Sequence, residues 1–450
     1  MPIALTLALG KFISGLRYRD IPKDALPFIH TGITDCVGVM IAGAREPAPQ
    51  ILKDMLAPGG NESTLLFGEG RASAPEAAWI NGTAAHALDF DDVAQRGHPS
   101  TVLVPAILAE AEALGASGEA MVVAYAAGYE TWAELVRRDP DQHHNKGWHP
   151  TGIFGAIGAA AACASLRKLD AEKASHAIAL GASQSAGIMS NFGTMTKPFH
   201  AGRAAHAGVV AARLAEKGFT ASLDALEHPQ GFLSAVSPAG RIDVESPLEA
   251  GIAWKLPKNR LSVKKYPMCF CTHRALDGML DLLAAEKIDA DKVAKVIVST
   301  SQRNANILRN HAPQTGLEAK FSMEFAMASA LIAKRAGLAE LTDAFVQRDE
   351  VQSLMKRVAV TPDQQEDAFG YAPFDLVTVE TTDGRRIESG QISKVRGGPD
   401  LPLNREELWA KFEGCVAVGT AKVPARNLFD SLMSLDRVPR VRELPGLQVR

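Results

Sequence analysis

The chain has 450 residues, 46% of them hydrophobic and 22% charged, a balance that allows a large buried core and excludes a disordered protein. Its formal net charge of -3 provides no basic surface of the kind that nucleic acid or an anionic membrane demands, so neither is expected as a partner. Cys36, Cys163, Cys269, Cys271 and Cys415 lack the spacing of a zinc ribbon, and only Cys269 and Cys271 are close enough to begin an iron-sulfur cluster, so reduced thiols in a cytoplasmic protein are expected.

The opening MPIALTLALGKF has no basic region before its apolar run and reads as a first helix. Apolar residues at spacings of three and four then predict helices over 101–114, 119–136, 153–166, 171–186 and 201–214. The stretch 153–166 is too short for the roughly 20 residues that span a bilayer and reads as a buried helix. Abundant alanine and glycine on these segments predict close helix-on-helix packing. Pro247 and Pro257 mark 246–259 as an exit linker.

Beyond it the texture changes. A helix is expected over 273–285, a strand over 293–300, and another helix over 321–336. The alternating DLVTVET at 375–381, the Asp383-Gly384 turn and a return over 385–390 predict a hairpin. GGPDLPLNREEL then breaks the chain and restarts a helix at Asn404. The fold class expected is mainly α: an all-α helical domain over 1–264 and 396–450, and a smaller α+β domain over 265–395. GEGRAS at 68–73 lacks the ending of a P-loop and no GxGxxG follows a strand, so a bound nucleotide has no support.

The residues with most chemical promise lie in GTMTKPFHAGRAAH, from Gly193 to His206. A lysine crowded by glycine, alanine and threonine is placed to grip a carboxylate or to stabilise an enolate, which makes Lys197 the first candidate. Asp89, Asp91, Asp92 and His98 could form a metal site, act as helix-capping or structural groups, or form an acid/base site. The spacing excludes an EF-hand, because Ala94 and Ser100 fall where the turn glycine and the bidentate glutamate belong. His149 precedes Pro150 and is held extended at a helix entry, where Thr151 can cap and an anion is favoured. Cys269 beside Lys264 and Lys265 could be an activated thiol, although a triad needs a base and an orienting group that sequence does not place.

Taken in order, NGTAAHALDFDDVAQRGHPS, GWHPTGIFG, the TKPFHAGRAA run and LSVKKYPMCFCTH resemble the MmgE/PrpD family, whose members include 2-methylcitrate dehydratase, cis-aconitate decarboxylase and iminodisuccinate epimerase. The resemblance covers nearly the whole chain. It implies a tail that packs back on the helical domain, and cofactor-free removal of a proton α to a carboxylate of a small anionic di- or tricarboxylate. In that reading His98 takes or gives the proton and Asp89 orients it. His149, Lys197 and Lys264 join them in the active site, with Thr196, His200, Arg203 and Phe325 as substrate contacts. No metal or cofactor and a homodimer are expected. Phe325, in FSMEF, stands where the decarboxylase branch and many dehydratases carry tyrosine, and the segment between Asp92 and His98 is shorter and lacks the decarboxylases' extra His-Pro; these departures look more like the epimerase branch. The first expectation is a lyase of the 2-methylcitrate dehydratase type. An epimerase of the iminodisuccinate type and a non-catalytic carboxylate-binding dimer are the alternatives.

Overall fold

The structure is a computed structural model that describes residues 3–363 and 372–447. The chain divides into two compact units, Met1–Val263 with Arg405–Arg450, and Lys264–Asn404.

The first unit is helical. Its helices are α1 (Leu5–Gly15), α2 (Leu26–Gly43), α3 (Pro47–Leu56), α4 (Ala74–Ala87), α5 (Ser100–Leu114), α6 (Gly118–Arg138), α7 (Pro150–Leu166), α8 (Ala171–Ser183) and α9 (Thr196–Glu216), joined by Arg405–Val418 and Ala425–Leu432 from the C-terminal stretch. A short antiparallel ribbon, β1 (Ser63–Thr64) with β2 (Arg71–Ala72), precedes α4. Helix starts follow local chemistry. The Ser117 hydroxyl accepts the Ala120 N–H at 3.2 Å, the Asp170 carboxylate accepts the Lys173 N–H at 2.9 Å, and Pro150 opens α7.

The core forms where α9 lies against α4, α7 and α8. Small residues let the backbones touch. A Cβ on Gly82 would sit 2.8 Å from the Gly202 Cα, and one on Gly208 would sit 2.3 Å from the Ala159 Cβ of α7. Trp132 of α6, fully buried, fills the space beside Phe154 of α7, their ring centroids 6.4 Å apart.

Helix α2 is long and apolar enough to cross a membrane by length and composition, yet 72% of it is buried inside the fold. It carries a buried ion pair, Asp35 with Lys411 of Arg405–Val418 at 2.6 Å, and so belongs to the core.

The segment 246–259 is not a linker. The buried Glu130 carboxylate of α6 caps the short helix Lys255–Asn259, accepting the N–H groups of Lys255 at 2.9 Å and Leu256 at 2.8 Å, while Arg138 donates to the Ser246 carbonyl at 3.0 Å. The chain continues to Ser262, whose N–H and carbonyl pair with those of Val93. The two prolines resemble linker punctuation, but a cap supplied from more than a hundred residues away overrides them.

The second unit has a four-stranded sheet in the order β4 (Val358–Asp363), β3 (Val293–Ser301), β5 (Leu376–Thr381), β6 (Arg386–Glu388). The hairpin β5–β6 sets Val379 opposite Ile387 and turns through Gly384 at φ +86. Strands β3 and β4 run parallel, with Val296 beside Val358. Helices His273–Ala285 and Met323–Ala333 cover it, and Met279, Val296, Val298, Met327, Val377 and Val379 belong to its core.

Candidate active site

Four helix ends of the first unit meet at one place: the last turn of α4, which bears His86, and the starts of α5, α7 and α9. Between α4 and α5 the loop carries Asp89, Asp91, Asp92 and His98. Three non-glycine residues of this loop, Asp89 at φ +52, Gln95 at φ +47 and Arg96 at φ +63, hold left-handed backbone. Such strain persists only when surroundings fix it. Here the Arg96 guanidinium donates to the carbonyls of Asp139 at 2.8 Å and Pro140 at 3.0 Å, and Trp132 Nε1 donates to the Gln95 carbonyl at 3.2 Å.

Two ion pairs form the centre. Lys197 Nζ lies 2.6 Å from Asp89 Oδ1, and its ammonium stands 5.4 Å from the centroid of the Phe192 ring. Asp91 is bound by two imidazoles, with His86 Nδ1 2.8 Å from Oδ1 and His98 Nδ1 2.7 Å from Oδ2. The carboxylate that orients His98 is thus Asp91, and not Asp89 as expected. Asp89, at φ +52, pairs with the lysine instead. His98 Nδ1 also lies 3.0 Å from the Asp92 carbonyl, which can only accept, so that nitrogen carries the proton.

Burial pushes His86 down to about 4, and the Lys197 charge acts the same way, so the ring is neutral near pH 7. Burial pushes Asp91 up, but the two imidazoles outweigh it and hold the carboxyl well below its ordinary range.

His149, the residue before α7, has extended backbone and is buried. Its Nδ1 lies 3.1 Å from the Nδ1 of His200 on α9, and its ring meets Phe192 edge-on at 4.8 Å. Burial holds both rings below their ordinary range, with the Lys197 charge adding to it. Gly187, at φ +121, makes this contact possible: a Cβ there would lie 3.1 Å from the His200 ring. Thr151, expected as a cap, instead accepts the His98 backbone N–H on its hydroxyl at 3.2 Å and ties α7 to the loop.

Asp89, His98, His149, Lys197 and His200 therefore come together. Thr196, the first residue of α9, is half-buried and donates its N–H to the Thr194 hydroxyl. Arg203 goes elsewhere: its guanidinium lies 5.4 Å from the Trp79 ring centroid and 2.6 Å from His206 Nδ1. Phe325 is fully buried in the core of the second unit, edge-on to Phe345 at 6.2 Å. Lys264 is buried at the start of that unit. Cys271 nearby is raised by its bond to Cys269 and by burial, so the Cys271 thiol is not an activated one.

His86 was not anticipated. Its sequence signal is its place in NGTAAHALDFDD, three residues before Asp89, but within an alanine-rich helix a histidine reads as core. His86, Asp89, Asp91 and His98 present donor atoms within 4.8 Å of one another. A cation there would compete with Lys197 for Asp89 and with His86 for Asp91.

Asp92, beside this centre, accepts the Ser100 hydroxyl at 2.6 Å, and Ser100 Oγ in turn meets the Tyr125 hydroxyl at 2.7 Å. Burial, with Asp91 and Asp35 adding to it, raises Asp92 from 3.8 to about 8. Between those values the folded chain keeps a proton that the unfolded chain releases. Its stabilising contribution is complete below about pH 4 and is lost as pH rises through about 8. Asp92→Asn cannot ionise, so its stability relative to the native chain is expected to climb from pH 4 to 8, by at most about 1.4 kcal/mol per unit, and then level off. Urea unfolding at pH 5, 6.5, 8 and 9 checks this; a difference independent of pH would contradict it.

The MmgE/PrpD N-terminal domain model matches residues 7–245, and the MmgE/PrpD C-terminal domain model matches 266–434. The chain belongs to the MmgE/PrpD family. Among its family relatives, the cis-aconitate decarboxylase of Mus musculus is 24% identical over 99% of this chain and 92% of its own. That of Homo sapiens is 26% identical over 78% of this chain and 75% of its own, and that of Aspergillus terreus is 24% identical over 98% and 95%. These MmgE/PrpD relatives are lyases that act on a carboxylate.

Proposed function

We propose that the protein is a lyase that removes a proton α to a carboxylate of a small di- or tricarboxylate, and that the leaving group is a β-hydroxyl, as in 2-methylcitrate dehydratase. The observation that carries this reading is the side-by-side placement of a carboxylate-backed imidazole, Asp91–His98, and an ammonium, Lys197, held by Asp89. A proton α to a carboxylate is too weakly acidic to leave without cationic stabilisation of the dianion that forms. Lys197 supplies that charge. His98, with Nδ1 protonated, has its Nε2 lone pair to take the proton.

Elimination then forms the C=C bond as the β-oxygen leaves. Of the two neutral rings His149 and His200, facing through Nδ1 at 3.1 Å, one donates and the other accepts. The accepting ring carries its own proton on Nε2, and that N–H is the group able to turn the leaving hydroxyl into water. A second reading, an epimerase, is favoured by the arrangement of His98 and His149 around His86, whose ring lies 4.5 Å from the first and 6.0 Å from the second. Two imidazoles could serve opposite faces of one carbon.

Proton NMR in D2O, with metal-free protein and a panel of 2-methylcitrate, citrate, cis-aconitate and iminodisuccinate, tests the reading. A new olefinic signal with loss of the hydroxyl supports the hydro-lyase. Decarboxylation of cis-aconitate would transfer the assignment to the chemistry named for the relatives, and deuterium uptake without an olefin would transfer it to the epimerase. No change with any of the four would overturn it.

A further inference from the structure

We propose that Asp91 is a positioning residue that orients two imidazoles at once, His86 through a hydrogen bond to its Nδ1 and His98 through a 2.7 Å contact with an Nδ1 whose hydrogen bond goes to the Asp92 carbonyl. The inference rests on the proton-abstraction reading only for its kinetic consequence, because the arrangement itself belongs to the resting protein.

Geometry carries it. Each oxygen of the carboxylate has its own ring nitrogen, His86 Nδ1 at 2.8 Å on Oδ1 and His98 Nδ1 at 2.7 Å on Oδ2, and the Asp91 and His86 side chains are completely buried. With a ring on each oxygen, the carboxylate cannot rotate toward one ring without losing its contact with the other. His86 is thus the second arm of a clamp that keeps Oδ2 on His98. The ring centroids of the two histidines lie 4.5 Å apart, so each also limits the other's rotation.

His86 adds an independent sign. With Nδ1 engaged, its Nε2 is buried and makes no hydrogen bond among the described residues. Leaving a buried polar atom unsatisfied destabilises the fold. A leucine or phenylalanine would pack the same space without that cost, so the ring is retained for its bond to Asp91. The alternative partners available to Asp91 sharpen the point. Asp92 beside it and Asp35 of α2 are acids, and Lys411, the nearest cation to Asp35, is engaged at 2.6 Å.

The wild-type protein, labelled with 15N and recorded without substrate, tests the arrangement through long-range 1H–15N correlations of its imidazoles. His86 and His98 are expected as Nδ1–H tautomers, the His86 signals being identified by their absence in His86→Asn. Asp91→Asn should turn at least one of the two rings to Nε2–H, since a carboxamide offers one oxygen and one N–H where the carboxylate offered two acceptors. Its kcat should fall by about 10²–10⁴-fold with little change in KM, the size of effect that a wrong imidazole tautomer produces. His86→Leu should lower kcat by about 10- to 100-fold, short of the full contribution of a general base. His86→Asn, whose amide N–H falls near the position of Nδ1, should recover most of it.

A His98 Nε2–H tautomer in the wild-type protein would overturn the proposal without touching the assignment of the reaction. So would native kcat in Asp91→Asn. Should Asp91→Asn fail to fold, the wild-type spectrum and the His86→Leu and His86→Asn pair still decide. The expected tautomers in a protein that turns over none of the four acids would instead sustain the clamp and remove the reaction.

Discussion

Lys197→Met should lower turnover by about 10³-fold or more while the protein stays folded. Removing one preorganised donor from a developing oxyanion costs about 10²–10³-fold, and here the lost group carries a full charge. The methionine chain keeps the length and most of the packing of lysine against Phe192. The Asp89 side chain, left without its ammonium, is 13% exposed and can recruit water, so the stability loss should be small. Lys197→Met with Asp89→Asn separates the two effects. If Lys197 served only to neutralise Asp89, the double variant would regain activity; if it acts on substrate, the double variant stays inactive with a melting temperature near native. Native turnover in Lys197→Met would remove the site proposal altogether.

Gly202→Val is the second large effect and acts through packing. A Cβ on Gly202 would lie 2.2 Å from the Trp79 carbonyl oxygen and 2.8 Å from the Thr83 backbone nitrogen, backbone atoms of α4 that cannot swing aside. Helices α4 and α9 must separate, at a cost on the order of 3 kcal/mol or more. Because α4 bears His86 and α9 bears Lys197 and His200, the same displacement should also degrade the site. The expected outcome is a lower melting temperature together with reduced turnover, measured by calorimetry and by the NMR assay. A native melting temperature would show that the close approach of the two helices is not rigid.

Much of the architecture was legible because its signals are local. The helices read over 119–136, 153–166 and 201–214 span Gly118–Arg138, Pro150–Leu166 and Thr196–Glu216, and the Asp383-Gly384 hairpin joins β5 to β6. Apolar spacing and turn chemistry act over a few residues, so they survive in one dimension. The parallel strand β4 and the capping of Lys255–Asn259 by Glu130 depend on partners far along the chain and left no local mark. In the site, the texture around Lys197 and the His-Pro steps at His98 and His149 pointed to the right side chains. Which aspartate meets which base was not legible, because Asp89 holds left-handed backbone, a conformation that only glycine announces in sequence. Arg203 sits one helical turn past His200, and that apparent proximity misleads because its neighbour across the helix pair is Trp79. Phe325 belongs to a core whose membership depends on strands more than twenty residues away in either direction.

Lys411 donates to the Phe90 carbonyl at 2.7 Å, between Asp89 and Asp91, and holds a 4.0 Å contact with the Phe90 ring. The loop that carries the reactive groups is therefore fastened by a residue 321 positions further along the chain. On the ribosome, where chains grow N-terminus first at about 5–20 residues per second, the helices of the first unit emerge well before their final brace. For that interval the Asp35 carboxyl is in an apolar setting with no counter-ion. Chains that stop before residue 411 lose the brace, so synthesis past that point becomes a condition for a working centre.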